Sequence, residues 1–453
     1  MNRAAPSFEN GNSWRGIPVI HATYLLLILL APFAGVHILL LLSFAVFLGL
    51  RFSKNGLSGA GNSLNLAFSL FLMLLVSAVS ENFSYTYPFY IALGAFAISV
   101  VSSHISFFSG LEGFSFSDSR WDRSKQKGFS LLWSSAFLGM RILAAFLAAG
   151  WVVHWQQLQV PYNLVFFIAV IGAVTGSLFE SIPSKFDSNI SVPLGAGMTM
   201  WIFEELRYWV PPEQMLIALA FSLFLGCLAY RAKIADVSAL LSAALLGVLI
   251  IVFSGLSWFV LLLAFFILGG GFTRYRYAYK ESIGLAQGKG GIRSYENVFS
   301  NSTAALALAV AYGVFPEHSL LIVYAYLGTV ATATGDTLAS EIGTTAKGRP
   351  RMITTLKLAE PGADGAVSGL GEFSAILGSA AIGLLAYLLG VSDDLLLTVL
   401  VTTVGGFLGT NVDSLLGATF QKKGLLSNSG VNFLATFAGA AISGGMYLLI
   451  SGL

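Results

Sequence analysis

Three acidic residues in the C-terminal half of the chain stand at or near the ends of apolar segments. Asp336 and Glu341 lie five positions apart in the run TGDTLASEIG, and Asp413 lies in the run TNVDSLLG. Carboxylate oxygens are ligands that Mg²⁺ prefers, and one or two of them hold a magnesium–nucleotide complex in phosphate-transferring proteins. These residues therefore favour a metal site for phosphate chemistry, built from Asp336, Glu341 and Asp413.

Phosphate groups also need cations and backbone N–H donors, and two neighbouring segments contain both. The run 289–293 reads KGGIR, and the run 356–371 is rich in glycine. The candidates are Lys289, Arg293 and Lys357 for positive charge, and Gly362 and Gly365 for flexible backbone. Neither segment has the spacing of a Walker A loop or of a protein-kinase glycine loop.

Each of these features also has an ordinary structural explanation. A basic loop beside a membrane segment often only sets topology or contacts lipid headgroups, and glycines between segments often form turns. An aspartate at a helix end, such as Asp336, often only caps the helix. Asp413 is harder to explain in this way, because it lies in an apolar stretch where carboxylates are costly and usually functional.

The elements that position these residues are predicted to be membrane-spanning helices. Apolar residues make up 56% of the 453 residues and charged residues only 10%, which is too little charge for the surface of a water-soluble protein. The mean hydropathy is +0.79. Apolar runs long enough to cross a bilayer as helices recur along the chain. We predict an all-α, polytopic transmembrane bundle of about fifteen spans. They are at roughly 17–31, 33–50, 63–79, 88–108, 130–153, 163–180, 190–206, 213–230, 236–253, 256–273, 302–315, 318–335, 368–390, 395–415 and 430–450.

Basic residues divide unevenly between the two sides of this predicted bundle. Of the 24 lysines and arginines, Arg141 falls inside a span and Arg207 on one side, while the other 22 fall in the tail 1–16 or in loops after even-numbered spans. The positive-inside rule places those loops in the cytoplasm. We expect a multi-pass protein of the cytoplasmic membrane with its N-terminus and basic loops inside. Arg141 is expected to pair with an acid such as Glu180 or Glu204.

An internal repeat divides the chain into two related units. GAVTGSLFES (172–181) and GGFLGTNVDS (405–414) share two glycines four positions apart, followed by an acid and a serine. An Asn-Ser pair also opens a span in each half, and the offset of about 235 residues predicts two parallel pseudo-repeats. The predicted domains are a cytoplasmic tail at 1–16, a first membrane unit at 17–208, a linker span at 209–235 and a second membrane unit at 236–453.

Four ordered motifs of the second unit together resemble one known family. They are GDTLASEIG, the K-G-G-x-R…N-S segment, D-S-L-L-G-A-T-x-Q and L-S-N-S-x-V-N, within residues 236–450. In these motifs the chain resembles the phytyl-phosphate kinase family of integral membrane proteins, within the wider group of CTP-dependent polyprenol, phytol and dolichol kinases. The resemblance implies Mg²⁺-dependent phosphoryl transfer from CTP to an isoprenyl monophosphate, such as phytyl or geranylgeranyl phosphate, giving the diphosphate.

The resemblance also implies roles for individual residues. The implied ligands of Mg²⁺–CTP are Asp336, Glu341 and Asp413. The implied phosphate contacts are Lys289, Arg293 and Asn301. The further residues implied to bind the nucleotide are Gly335, Thr337, Lys357, Gly362, Asp364, Gly365, Asn428 and Asn432.

The first unit is similar to the phytol and dolichol kinase branch but lacks one acid. ESIPSKFDSNISVP (180–193) resembles the E-S-x-x-x-x-x-D-x-N-x-x-x-P segment of that branch, whereas SSH at 102–104 stands where the second unit has GDT at 335–337. We interpret the first unit as a degenerate kinase copy that serves as a scaffold or lipid-binding partner. The alternative is a two-step fusion kinase that also acts on the free isoprenol.

Two other classes of function fit a polytopic protein with two repeats. A transporter or lipid flippase uses parallel repeats and intramembrane acids, and a non-catalytic scaffold needs no site. A transporter needs polar groups along a path through the membrane midplane, whereas here they cluster at one end of the predicted helices. The net charge of +2 gives no indication of nucleic-acid binding. The expected partners are therefore a nucleotide and a membrane isoprenyl substrate, and no nucleic acid.

Overall fold

The structure, a computed structural model, describes residues 17–52, 60–111, 129–182, 187–286 and 292–452. The α-helices in these ranges are α1 (Ile17–Phe52), α2 (Ala60–Ser80), α3 (Phe89–Leu111), α4 (Phe129–Trp155), α5 (Tyr162–Ser181), α6 (Ser188–Glu205), α7 (Pro212–Arg231), α8 (Val237–Ser254), α9 (Leu256–Arg274), α10 (Tyr277–Ser282), α11 (Tyr295–Val314), α12 (Ser319–Gly343), α13 (Gly369–Leu388), α14 (Leu395–Leu416) and α15 (Asn428–Ser451). Two short antiparallel strands, β1 (Arg351–Met352) and β2 (Ala366–Val367), pair in the loop between α12 and α13.

The predicted all-α polytopic architecture is confirmed. Ten described helices are long and apolar enough to cross a membrane, or eleven if α11 and α12, which are bent by 116° at their junction, count together as one span. The predicted spans at 17–31 and 33–50 both lie in α1, whose two helical halves meet at a kink at Gly35, and α6 is not apolar enough to be included among the ten. Hydropathy alone does not show where one helical segment ends and the next begins.

The chain divides into two compact units, residues 1–213 and 214–453. In the first unit, α3 packs against α2, α4, α5 and α6, and α1 covers α2 and α4. In the second unit, α12 occupies the centre and packs against α9, α11, α13, α14 and α15. α3 is therefore the central helix of the first unit, and α12 is the central helix of the second.

The two units have the same helix order and the same neighbours. The sequence α2 to α6 in the first unit corresponds to α11 to α15 in the second, and matching helices pack against matching partners. A glycine with positive φ interrupts the helical segment before each series: Gly35 (φ 71°) within α1, and Gly255 (φ 93°) between α8 and α9. Glycine adopts such angles without steric cost. Each unit therefore contains the same five-helix series with the same packing partners, as an internal repeat predicts.

Small residues bring the central helices of the second unit unusually close together. Thr332 on α12 packs between Gly409 on α14 and Gly439 on α15, and a Cβ added at either glycine would collide with the threonine side chain. Close approach of backbones at small residues is a common way in which membrane helices associate. This packing fixes the end of α14 and the start of α15 beside the last turns of α12, where the candidate site lies.

Candidate active site

Two aspartates from different helices meet at this end of the second unit. Asp336 is on the penultimate turns of α12, Asp413 is on the last turn of α14, and their carboxyl groups lie within hydrogen-bonding distance of each other. Both side chains are half-buried, so a ligand can reach them. The exposed carboxylate of Asp364, from the loop that follows α12, is near enough to Asp413 to interact with it electrostatically. The structure thus brings together three predicted site residues that are far apart in the sequence.

An amide from α15 completes one side of the acid pair. With its amide nitrogen facing the acceptors, Asn432 donates to Oδ2 of Asp413 at 3.2 Å and to the backbone carbonyl of Asn428 at 3.1 Å. Asn428 is the first residue of α15, immediately after the N-cap Ser427. Of the two predicted asparagines, Asn432 therefore contacts Asp413 and fixes the orientation of its carboxyl group, while Asn428 accepts from Asn432 through its backbone carbonyl.

The acid pair carries a negative charge that the described residues do not neutralise. None of the ion pairs among the described residues involves Asp336 or Asp413. Two carboxylates in such close contact cannot both remain ionised unless a cation lies between or beside them. The pair has the oxygen chemistry that suits Mg²⁺, which commonly takes one or two protein carboxylates and completes its shell with substrate phosphates and water. The described residues contain no group of three or more His, Cys, Asp or Glu that could hold a metal unaided.

Three loops contact one another around Asp364, the residue that interacts electrostatically with Asp413. The side chain of Gln421, in the π-helical turn after α14, donates to Oδ1 of Asp364 at 3.0 Å. A Cβ at Gly362 would collide with the side chain of Leu285, which lies in the loop after α10. The loop between α12 and α13 is therefore held against the other two loops, and its β1–β2 pairing gives it a defined shape.

Gly365, which the sequence predicts to bind the nucleotide, is a glycine for a structural reason. Its φ is +76°, and an added Cβ would collide with the Ala418 side chain and lie 2.5 Å from the carbonyl oxygen of Ser414. The backbone of the loop therefore rests directly on the end of α14, next to Asp413. A glycine here is required twice, once by the backbone angle and once by the contact.

Replacing Gly365 by Ala is expected to destabilise the second unit by about 2 kcal/mol, because a left-handed backbone angle and a steric overlap add together. The measurement is thermal unfolding of the purified protein in detergent. Gly348→Ala is the matched control, since an added Cβ at Gly348 meets no atom within 4 Å. An unchanged melting temperature for Gly365→Ala would show that the loop moves freely and does not need this contact.

Glu341 is not placed with the two aspartates. Five residues along a helix separate side chains by about 140° around its axis, so Glu341 faces away from Asp336. Its Oε2 accepts a hydrogen bond of 2.5 Å from Nζ of Lys280, and both side chains are buried. Lys280 also donates to the carbonyls of Phe272 and Thr273, at 3.1 and 2.8 Å. Because an ammonium group has three donors, Lys280 is fully satisfied.

Arg293 lies in the same buried basic cluster as Lys280 and Glu341. Its guanidinium is over the rings of Phe265 and Phe266, at 5.3 and 5.8 Å from their centroids, and it packs against Gly269. Burial lowers the pKa of Arg293 to about 10, while the negative charge of Glu341 acts in the opposite direction. The residue therefore stays charged at neutral pH. The cluster of two cations and one acid, which we call the basic cluster, has an excess of one positive charge.

The basic cluster adjoins the acid pair through α12. Thr337, the residue after Asp336, packs near Gly269 on the same side as Arg293. Gly335, the residue before Asp336, packs against Ser379 and Thr410, where a side chain would not fit. Positive and negative groups therefore lie on neighbouring faces of the same end of α12.

Three further residues are predicted to contact phosphate or nucleotide: Asn301, Lys357 and Lys289. The Asn301 amide is buried and donates to Asn297 O and Ser300 Oγ in its own helix. Lys357 is exposed in the loop between α12 and α13. Lys289, predicted to bind phosphate, lies outside the described residues. Their roles stay predictions.

The sequence analysis missed two residues that the structure connects to the site. Lys280 reads as one more basic loop residue, and nothing in its spacing to Glu341, 61 positions away, indicates an ion pair. Gln421 is the last residue of the D-S-L-L-G-A-T-x-Q motif that begins with Asp413. Its place in this motif was the one indication in the sequence that it belongs to the site. Its side chain reaches Asp364 in the neighbouring loop.

In the first unit, the acid that matches Asp413 is already neutralised. Glu180 forms an ion pair with Arg141, which also donates to Oγ of Ser177. Both ionic side chains are largely withdrawn from solvent, with 5% and 17% exposure. The prediction that Arg141 pairs with a membrane acid is confirmed, with Glu180 as the partner.

The second acid of the first unit is also engaged. Asp187 caps α6 by accepting from the backbone N–H of Asn189 at 2.8 Å, and it accepts from the side-chain amide of Asn65 at 2.7 Å. The side chain of His104, at the position that matches Thr337, lies outside the described residues. Glu180 and Asp187 of the first unit thus have protein partners, whereas Asp336 and Asp413 have no cationic partner among the described residues.

The fold and the site define a class: a polytopic helical membrane protein with a polar site at one end of its second unit. Over residues 220–440 the chain matches the family described as integral membrane protein DUF92, and it belongs to this family. It is 34% identical over 237 residues to an uncharacterized membrane protein of Methanocaldococcus jannaschii, covering 51% of this chain and 96% of that protein.

Two further relatives align with less than half of the chain. An uncharacterized membrane protein of Synechocystis is 36% identical over 202 residues, which cover 44% of this chain and 77% of that protein. Protein VTE6, chloroplastic, of Arabidopsis thaliana is 29% identical over 214 residues, which cover 46% of this chain and 63% of that protein. No solved structure matches the chain.

Proposed function

We propose that the second unit is a CTP-dependent isoprenyl-phosphate kinase that converts a membrane isoprenyl monophosphate, such as phytyl or geranylgeranyl phosphate, to the diphosphate. The observation that carries the proposal is the contact between Asp336 and Asp413, two half-buried acids without a cationic partner among the described residues. The resemblance of the surrounding motifs to the phytyl-phosphate kinase family supports the isoprenoid substrate and the CTP donor.

In the proposed reaction an oxygen of the isoprenyl phosphate attacks the γ-phosphorus of CTP. The bond between that phosphorus and the β–γ bridging oxygen breaks, and CDP leaves. Mg²⁺ held by Asp336 and Asp413 would supply neutralisation of the phosphate charge. Asn432 keeps the Asp413 carboxyl group oriented, and the excess positive charge of the basic cluster attracts the phosphates from the other side of α12. The protein would act by positioning and by fixed charge.

A monophosphate acceptor suits this site better than an alcohol. An alcohol must lose a proton when it attacks, which requires a base in position. A phosphate monoester is largely ionised at neutral pH, because its second pKa is about 6. Its attacking oxygen therefore needs no base, and the acid pair is free to hold the metal.

The structure offers less support for a transporter. Hydroxyl side chains do occur deep within α12 and α14, but Thr332, Thr334 and Thr410 each donate to a carbonyl one turn earlier in their own helix. They lie at close glycine contacts, as Thr332 does, and these contacts leave no space for a solute. We further propose that the end bearing the site faces the cytoplasm, since the basic loops lie there.

The test is phosphoryl transfer by the purified protein in detergent, with radiolabelled CTP and a panel of isoprenyl alcohols and monophosphates. We expect labelled diphosphate from geranylgeranyl or phytyl monophosphate and no product from the free alcohols. The first unit should not phosphorylate an alcohol, because its acid Glu180 is paired with Arg141 and is not free to bind a metal ion. If an Asp336→Asn protein still phosphorylated the alcohol, the first unit would be a working kinase and the two-step fusion would replace this proposal. If no nucleotide and acceptor pair reacted, the kinase assignment would fail.

A further inference from the structure

A groove runs beside the acid pair, between the first turns of α11 and α15. It has a volume of about 470 Å³ and is lined by aromatic rings, among them Tyr295, Phe299 and Phe433, with small and hydroxyl-bearing residues such as Ser429 and Gly430 between them. This size falls within the range of about 300–1,000 Å³ typical of small-molecule sites. The mixture of rings and hydroxyl groups suits a largely apolar molecule with a polar end.

The groove and the acid pair share one turn of α15. Ser429, Gly430 and Phe433 line the groove, while Asn432, on the same part of α15, donates to Asp413. A molecule lying in the groove is therefore separated from the Asp413 carboxyl group by this part of α15. On α11, Ser300 lines the groove and accepts from the amide of Asn301, which connects this predicted residue to the groove and not to the aspartates.

The negative charge of Glu296 determines which end of a ligand can lie in the groove. Glu296, which is exposed in the first turn of α11, lines the groove at its loop end and would repel a phosphate. From there the apolar lining continues along α15, where the ring of Phe433 packs on that of Phe437 at 4.8 Å and both are partly exposed. The groove thus accepts an apolar chain that continues toward lipid, and its phosphate is left to the metal side.

We propose that this groove binds the isoprenyl chain of the substrate, with Phe299 and Phe433 determining which chains fit next to the phosphate. The proposal rests on the proposed kinase function, and it adds the location of the chain and the residues that select it. The chain approaches sideways from the bilayer, which explains why the groove is open instead of enclosed.

The test fills the groove without disturbing the acid pair. An added Cβ at Gly430 would meet its nearest neighbours at 3.5 Å or more, so a Phe side chain introduced there is tolerated by the fold and occupies the groove. Gly445→Phe on the same helix is the matched control, because it lies outside the groove lining and has no atom within 4 Å. The substrates compared are geranylgeranyl monophosphate and dimethylallyl monophosphate, which has a single isoprene unit.

We expect Gly430→Phe to raise KM for the geranylgeranyl substrate by at least about tenfold, since excluding two methylene groups from an apolar site is already sufficient for that change. KM for dimethylallyl phosphate is expected to rise less, because its single isoprene unit fills less of the groove. KM for CTP is expected to stay unchanged, and the Gly445→Phe protein is expected to behave as wild type. Equal KM values for the long chain in wild type and Gly430→Phe would overturn the proposal while leaving the kinase function in place.

A second measurement does not depend on catalysis. A geranylgeranyl phosphate analogue with a diazirine in its chain is irradiated with the Asp413→Asn protein, and labelled peptides are identified by mass spectrometry. Labelling of the peptides that contain Phe299 or Phe433, lost in Gly430→Phe and retained in Gly445→Phe, would support the groove even if no kinase activity were found. Labelling confined to other helices would overturn it.

Discussion

Replacing Asp413 by Asn is expected to lower turnover of CTP by about 10²-fold or more, with the protein still folded. The substitution keeps the size of the side chain and removes the negative charge that a metal ion needs, so phosphate charge remains uncompensated during transfer. Asp336→Asn is expected to have the same effect, since the two carboxyl groups are in contact. The measurement is CTP turnover as a function of Mg²⁺ concentration.

The same substitutions are expected to leave the fold intact or to stabilise it. Removing one of two adjacent like charges relieves their repulsion, so the melting temperature without ligand should not fall. Stabilisation by Mg²⁺ and CTP together should disappear, because the ligand that binds the folded state is lost. This combination separates a binding site from a structural role, in which activity and stability would fall together.

Asp394→Asn provides a matched control on the same helix. Asp394 caps the opposite end of α14 by accepting from the backbone N–H of Leu397 at 2.9 Å, and asparagine caps helices about as well. Activity and stability should therefore stay close to those of the wild type. Turnover near the wild-type level in Asp413→Asn or Asp336→Asn, under conditions where the wild type requires Mg²⁺, would assign that residue to structure alone.

Replacing Lys280 by Met is expected to destabilise the second unit by about 3 kcal/mol. The substitution leaves the buried carboxylate of Glu341 without its ion-pair partner, and breaking a buried pair from one side costs about 3–5 kcal/mol. We expect the lower end of that range because the charge of Arg293 still acts on Glu341. Thermal unfolding in detergent, with and without Mg²⁺ and CTP, measures the effect.

The double variant Lys280→Met with Glu341→Gln isolates the ion pair from the rest of the basic cluster. Removing both charges should recover part of the lost stability, because no isolated carboxylate remains buried. Lys357→Met is the control for loss of a lysine, since Lys357 is exposed and should change stability little. If Lys280→Met unfolded at the wild-type temperature, the buried ion pair would not hold the loop after α9 to α12.

The sequence predicts the all-α membrane architecture, but it does not give the number of spans. Composition and the length of apolar runs predict a polytopic helical bundle, because a bilayer demands apolar helices of a definite length. The repeat was also readable, since the glycines and acids of 172–181 and 405–414 recur in order. The kink at Gly35 in α1 and the polar first turn of α6 are features that the length of an apolar run does not reveal.

Some features of the site also follow from sequence and elementary geometry. A buried Arg141 needs an acid, and Glu180 was among the expected partners. Helical periodicity alone separates Asp336 from Glu341 by about 140°, so the two could not have faced one metal from the same straight helix. That argument was available before the structure, and it removes Glu341 from the proposed metal site.

The sequence by itself determined the class of protein, the repeat and the acids worth testing, because these depend on residue types and on periodicities along one segment. Only the tertiary structure decided which acids meet. Asp336, Asp364, Asp413 and Asn432 come from separate helices and loops, and their contact depends on how closely glycines such as Gly409 and Gly439 let α12, α14 and α15 approach. The pairing of Lys280 with Glu341 has the same origin, since an ion pair across 61 residues is set by helix packing and leaves no local pattern in the chain.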